Sequence, residues 1–126
     1  MSIFSKIIVG EIPSYTVYED SDVYAFLDIN PMNKGHTLVV PKKEVDYLFD
    51  LDEESYTKLM LASRMLAQKL KEKLGCARVC VIVEGYAVPH AHIHLIPTNS
   101  PEDLDKTRVH KAQDEELKEV QKLLTG

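Results

Sequence analysis

The chain has 126 residues, 44% of them apolar and 28% charged, a balance that suits one packed domain and not intrinsic disorder. Fifteen Lys and Arg against twenty Asp and Glu leave a net charge of −5, which disfavours nucleic-acid binding through a broad basic surface. No apolar run reaches the roughly 18 residues of a membrane span and the first residues lack a secretion-signal pattern, so a soluble cytoplasmic protein without membrane partners is expected.

Residues 3–9 read as a short helix ended by Gly10 and Pro13. The β-rich runs 15–18 and 23–27 flank the turn Glu19-Asp20-Ser21-Asp22 and form a hairpin. A loop of turn formers, Asn30 to Gly35, leads into a buried strand over 37–40, stopped by Pro41. Asp50 and Glu53 have the spacing of a capping box. The helix that follows, to Gly75, carries Tyr56, Leu59, Met60, Leu66, Leu70 and Leu74 on one face.

Strands are expected over 78–83 and 90–96, the second stopped by Pro97, and a charged amphipathic helix over 114–124. Helix, three strands, long helix, two strands, tail helix is the order of an α+β protein with a mostly antiparallel sheet. Cys76 and Cys80 would sit on one strand about 13 Å apart at ~3.3 Å per residue. That is too far for a disulfide, and the pair reads as two small buried hydrophobes.

Three of the five histidines, His90, His92 and His94, alternate with Ala91, Ile93 and Leu95. On a strand such residues share one face. Imidazoles so arrayed can act on phosphate, as nucleophile, base or anion donor. Two of them with an outside ligand can hold a metal, and a purely structural role is the third reading. His36, between a glycine loop and a strand, reads equally as structural or functional; His110, in a charged tail, reads as a solvated surface residue.

The run His90-Ala91-His92-Ile93-His94-Leu95-Ile96 resembles the signature of the histidine triad (HIT) superfamily, three histidines alternating with apolar residues. The opening Ile3-Phe4-Ser5-Lys6-Ile7-Ile8-Val9-Gly10-Glu11-Ile12-Pro13 and the block from Ala25-Phe26-Leu27-Asp28-Ile29 to Gly35-His36-Thr37 are similar to other family blocks. The resemblance spans residues 2 to about 97, with 101–126 as a tail in a single HIT domain over 1–126. It points to the branch of small nucleoside phosphoramidases and nucleotide hydrolases.

The resemblance implies a HIT-like α+β fold with a five-stranded antiparallel sheet, and a homodimer. It implies a purine nucleotide or nucleotidyl conjugate as ligand, cleaved at the α-phosphorus without a cofactor or metal. His92 would be the nucleophile, His90 and His94 would orient it and contact oxygens, and His36 would join them. Asp28 would bind the ribose hydroxyls. Phe26, Ile29, Ile3, Phe4, Ile7 and Ile12 would sandwich the base, although each fits ordinary core packing equally well. Gly85 would offer its backbone N–H to phosphate. A nucleotide-binding regulatory protein with little catalysis is the alternative.

The chain departs from the family at two places. Ser2, Ser5 and Glu44 stand where many relatives carry two cysteines and a histidine for a structural zinc, so none is expected here. The stretch Val83 to Pro89 is shorter than usual and lacks the polar residues that help hold phosphate or leaving group. The amphipathic tail helix suggests docking on the dimer partner near the active site.

Overall fold

The computed structural model describes residues 1–126. Its helices are α1 (Ile3–Ile8), α2 (Glu53–Leu74) and α3 (Asp114–Thr125). Its strands are β1 (Thr16–Glu19), β2 (Val23–Leu27), β3 (Thr37–Pro41), β4 (Arg78–Ile82) and β5 (Ile93–Thr98), with single 3₁₀ turns at Leu48–Asp50, Pro101–Asp103 and Lys106–Arg108. The strands form one antiparallel sheet in the order β1-β2-β3-β5-β4, the α+β architecture expected.

Alternation along the strands divides the side chains between two layers. Val39, Ile93 and Leu95 meet Leu59, Leu66 and Leu70 of α2 in the main core. Tyr24, Phe26, Leu38 and Val40 point the other way and pack on Phe4 and Ile7 of α1. Every residue of β2 and β3 is therefore buried. Gly35, at the entrance to β3, has φ +91°, and a Cβ there would lie 2.3 Å from Leu74 Cδ1. Only glycine lets the loop turn this tightly against α2 and deliver His36 to the start of β3.

Several expectations are corrected. The cap of α2 is Asp52, whose carboxylate accepts the Ser55 N–H at 3.1 Å, because Asp50 is taken into the preceding 3₁₀ turn. Met60 of the expected stripe turns partly to solvent while Ala62 and Ser63 are buried. Cys76 lies before β4 and only Cys80 lies on it; both thiols are free. Pro97 sits inside β5, not after it. Its carbonyl accepts from Asn33 Nδ2 past the β3 pairing, so its missing N–H breaks no ladder bond.

The strand expected over 90–96 begins only at Ile93. The Ala91 N–H bonds the Val45 carbonyl at 2.7 Å, in the segment after β3, and His90–His92 lie outside the ladder. The tail helix also departs from expectation. Leu117, Val120 and Leu124 of α3 enter this chain's own main core, and Gln121 Nε2 donates to the Thr16 carbonyl of β1, so α3 docks on its own domain. Leu123, placed on the apolar side in the sequence pattern, is 38% exposed.

Candidate active site

His36 enters from the start of β3, His94 from β5, and His90 and His92 from the extended segment before β5. His92 Nδ1 lies 2.8 Å from the His90 carbonyl oxygen. A carbonyl only accepts, so Nδ1 carries the hydrogen and Nε2 keeps its lone pair. Met32 N–H donates to His36 Nδ1 at 3.0 Å, which leaves the hydrogen on His36 Nε2. That nitrogen is 2.9 Å from His94 Nδ1, which must accept, so His94 carries its hydrogen on Nε2. The backbone thus fixes one ring with a free lone pair and its neighbour with a free N–H. The His92 and His94 ring centroids are 5.0 Å apart.

Burial keeps His36 and His94 neutral. It pushes His36 down to about 4, and burial together with the neighbouring His36 does the same for His94. Asp28 follows β2 and places Oδ2 3.7 Å from His36 Nε2. Burial raises its pKa, and the backbone N–H of Asn30 opposes the shift.

Of the two parts expected of His90, orienting His92 and contacting phosphate, the second finds no free ring nitrogen. Its ring has no exposed surface, and both nitrogens are engaged. Nε2 donates to the Pro41 carbonyl at 2.7 Å and Nδ1 accepts from Ser2 Oγ at 2.7 Å. The expectation of three rings presented on one strand face is corrected with it, since only His94 lies on a strand.

The apolar candidates divide. Phe4, Ile7 and Phe26 are buried together with Ile12 against them, and Phe4 stands edge-on to His92 at 5.0 Å between centroids. Ile29, just past Asp28, is 51% exposed and Ile3 is 49% exposed; neither belongs to that cluster. Gly85, at φ +76°, has no atom within 4 Å of its Cβ position and lies beside the fully exposed Tyr86. A cleft of about 560 Å³ is lined by Lys34, Cys76, Arg108 and His110 among others, with no triad ring.

Two places bear on metal binding. Asp28, His36 and His94 offer ligand atoms within 4.8 Å of one another. A metal there would take His94 Nδ1 and break the His36–His94 hydrogen bond. The positions of the family's structural zinc hold two hydroxyls and a carboxylate. Ser2 Oγ bonds His90 and the Ser5 N–H, while Ser5 Oγ and the Ser2 N–H both bond Glu44. Zinc takes thiolates, imidazoles and carboxylates; these groups satisfy one another instead and do not fit that ion.

The profile of the HIT domain family matches residues 9–100. The chain belongs to the HIT family. A HIT-like protein of Methanocaldococcus jannaschii is 40% identical over 131 residues, covering all of both chains. The adenosine 5′-monophosphoramidase of Saccharomyces cerevisiae is 38% identical over 96 residues, 75% of this chain and 61% of the yeast protein. The crystal structure of a HIT-like protein involved in cell-cycle regulation from Bartonella henselae superimposes with a TM-score of 0.90 at 36% identity, covering 98% of this chain and 93% of that one.

Within this HIT domain the motif names the three rings but not the groups that hold them. Pro41, Val45 and His90 act through backbone carbonyls, which no side-chain pattern marks. Ser2, Ser5 and Glu44 read in the sequence only as absent metal ligands. The one signal that could have found them is that all their replacements are hydrogen-bonding groups.

Proposed function

We propose that this HIT protein hydrolyses nucleoside 5′-phosphoramidates or related nucleotidyl conjugates at the α-phosphorus, through a nucleotidyl intermediate on His92. The observation that carries this reading is the fixed pair of His92 with a free Nε2 lone pair and His94 with a free Nε2–H. A lone pair is what attack on phosphorus needs, and a preorganised N–H suits the charge that grows on the phosphate oxygens. His92 Nε2 forms a bond to phosphorus as the P–N bond breaks, and the amine leaves with that electron pair and takes a proton from water. A second water, giving one proton to the hydroxide left by the first, then displaces His92 and releases the nucleoside monophosphate.

Asp28 would accept the ribose hydroxyls. Ile12, packed against the apolar cluster, and the exposed Ile29, just past Asp28, would flank a purine base. The yeast relative's name supports this substrate class. No helix of the chain is long and apolar enough to cross a membrane, in keeping with a cytoplasmic site of action. A homodimer would form through the exposed edge of β4.

The test is hydrolysis of adenosine 5′-phosphoramidate by the native protein and by His92→Ala. The expected result is turnover by the native protein, a loss of at least 1,000-fold in the variant (about 4 kcal/mol of barrier), and AMP binding retained by both. The Val83–Pro89 stretch, whose only polar side chains are Glu84 and the exposed Tyr86, favours a second reading, nucleotide binding with little catalysis. AMP binding without turnover of any conjugate by the native protein would establish that reading instead.

A further inference from the structure

The N-terminal turn carries hydrogen bonds that the proposed chemistry has not used. We infer that Ser2 and Glu44 are positioning residues for His92, acting through His90. The inference rests on the hydrolase reading only for its kinetic readout.

The chain of contacts is continuous. The Glu44 carboxylate is exposed at the rim, and the Ser2 N–H and Ser5 hydroxyl that bond it hold its pKa down to about 2. Ser5 Oγ donates to Glu44 at 2.7 Å. Ser2 is buried and its hydroxyl does two jobs. It accepts the Ser5 N–H at 3.0 Å as the cap of α1, and it donates to His90 Nδ1 at 2.7 Å. The direction of that second bond is forced, because His90 Nε2–H already donates to Pro41. The ring of residue 90 is thereby pinned at both nitrogens, and the carbonyl of the same residue pins the hydrogen of His92 on Nδ1.

Without the Ser2 hydroxyl, the remaining hydroxyl near His90 Nδ1 is that of Ser5 at 3.4 Å, whose hydrogen is already given to Glu44, so the buried acceptor is left without a donor unless Ser5 gives up that bond. Such a group is costly enough to make the ring turn or admit water. The carbonyl of residue 90 moves with it, and His92 then populates the tautomer whose Nε2 carries hydrogen and cannot attack phosphorus. Phe4 acts in the same sense, since the helix that Ser2 caps holds that ring edge-on to His92. The hydrogen bonds of Ser2, Ser5 and the ionised Glu44 thus do mechanical work for the nucleophile that needs no metal.

Ser2→Gly separates capping from positioning, because glycine is nearly as good a helix cap as serine yet has no hydroxyl. In the full-length protein, kcat for adenosine 5′-phosphoramidate should fall at least fivefold in Ser2→Gly with KM within twofold. Ser2→Thr, which restores the hydroxyl, should stay within twofold of native, and Glu44→Ala should fall in the same direction as Ser2→Gly. Imidazole ¹⁵N NMR supplies the independent readout: His92 should show one Nδ1–H tautomer in the native protein and a mixture in Ser2→Gly and Glu44→Ala. A native His92 spectrum in Ser2→Gly overturns the inference whatever happens to kcat, as does a change confined to KM. If the native protein turns over no conjugate, the hydrolase reading fails, and the NMR comparison still decides the positioning role.

Discussion

At the scale of single residues, the site depends on rings that stay neutral because they are buried. His36 and His94 titrate near 4 in the fold and near 6.5 in an unfolded chain. Between those values the unfolded state holds protons that the folded state does not, so stability rises with pH across the window and is lost as pH falls through it. Above about 6.5 the two states match and the dependence ends. Urea melts at pH 7 and pH 5 should show a clear loss at pH 5, and His36→Asn should flatten that dependence. An equal loss in the variant would mean that other groups govern acid sensitivity. Gly35 sets a second residue-scale limit. Gly35→Ala must strain φ +91° and collide with Leu74, which should cost about 1–3 kcal/mol. A denaturant midpoint unchanged from native would refute that placement.

At the scale of elements, the sequence pattern is faithful where a residue's environment is set by its own periodicity. The stripe on α2, Met60 apart, and the buried strand at 37–40 are of this kind, and the helices and strands stand in the expected order. The pattern fails where a distant backbone group competes. Asp50 lost the cap of α2 to Asp52 because the chain first makes a 3₁₀ turn that buries Leu48. His90 and His92 lost their place in β5 because Pro41 and Val45 draw residues 90 and 91 aside. The histidine motif could still be read, because its chemistry lies in the side chains. The tautomers could not, because carbonyls set them. The placement of α3 was equally hidden, since an amphipathic helix names an apolar face and not the surface that covers it. Leu124, at 1% exposure in the main core, should cost about 2–5 kcal/mol when changed to Ala. Leu123→Ala, on the exposed side, should cost well under 1 kcal/mol. Equal costs in equilibrium unfolding would show that α3 is not docked on its own chain.

At the scale of the whole molecule, one edge of the sheet is covered and the other is open. Beyond β1, α3 packs Leu117, Val120 and Leu124 into the core. Beyond β4 there is no further strand. Its Val81 is 53% exposed, Val83 just past its end is 41% exposed, and on α2 Leu61 and Met65 are 52% and 37% exposed. Unpaired backbone along an apolar edge is a template for a further strand, and a two-fold axis at β4 would pair two copies of the same edge and bring the two α2 patches together. Charge at the middle of that edge should prevent this, so Val81→Lys should halve the mass in sedimentation equilibrium. The bonds that hold His90 and set the His92 tautomer, from Ser2 Oγ and the Pro41 and His90 carbonyls, lie away from β4 and within the same chain. The Val81→Lys monomer should therefore keep the native His92 tautomer. The Val83–Pro89 stretch, which leads straight from this edge to His90, should become more mobile, raising KM more than it lowers kcat. A native protein that already sediments as a monomer would remove β4 as an interface, and its exposed apolar edge would then need another partner.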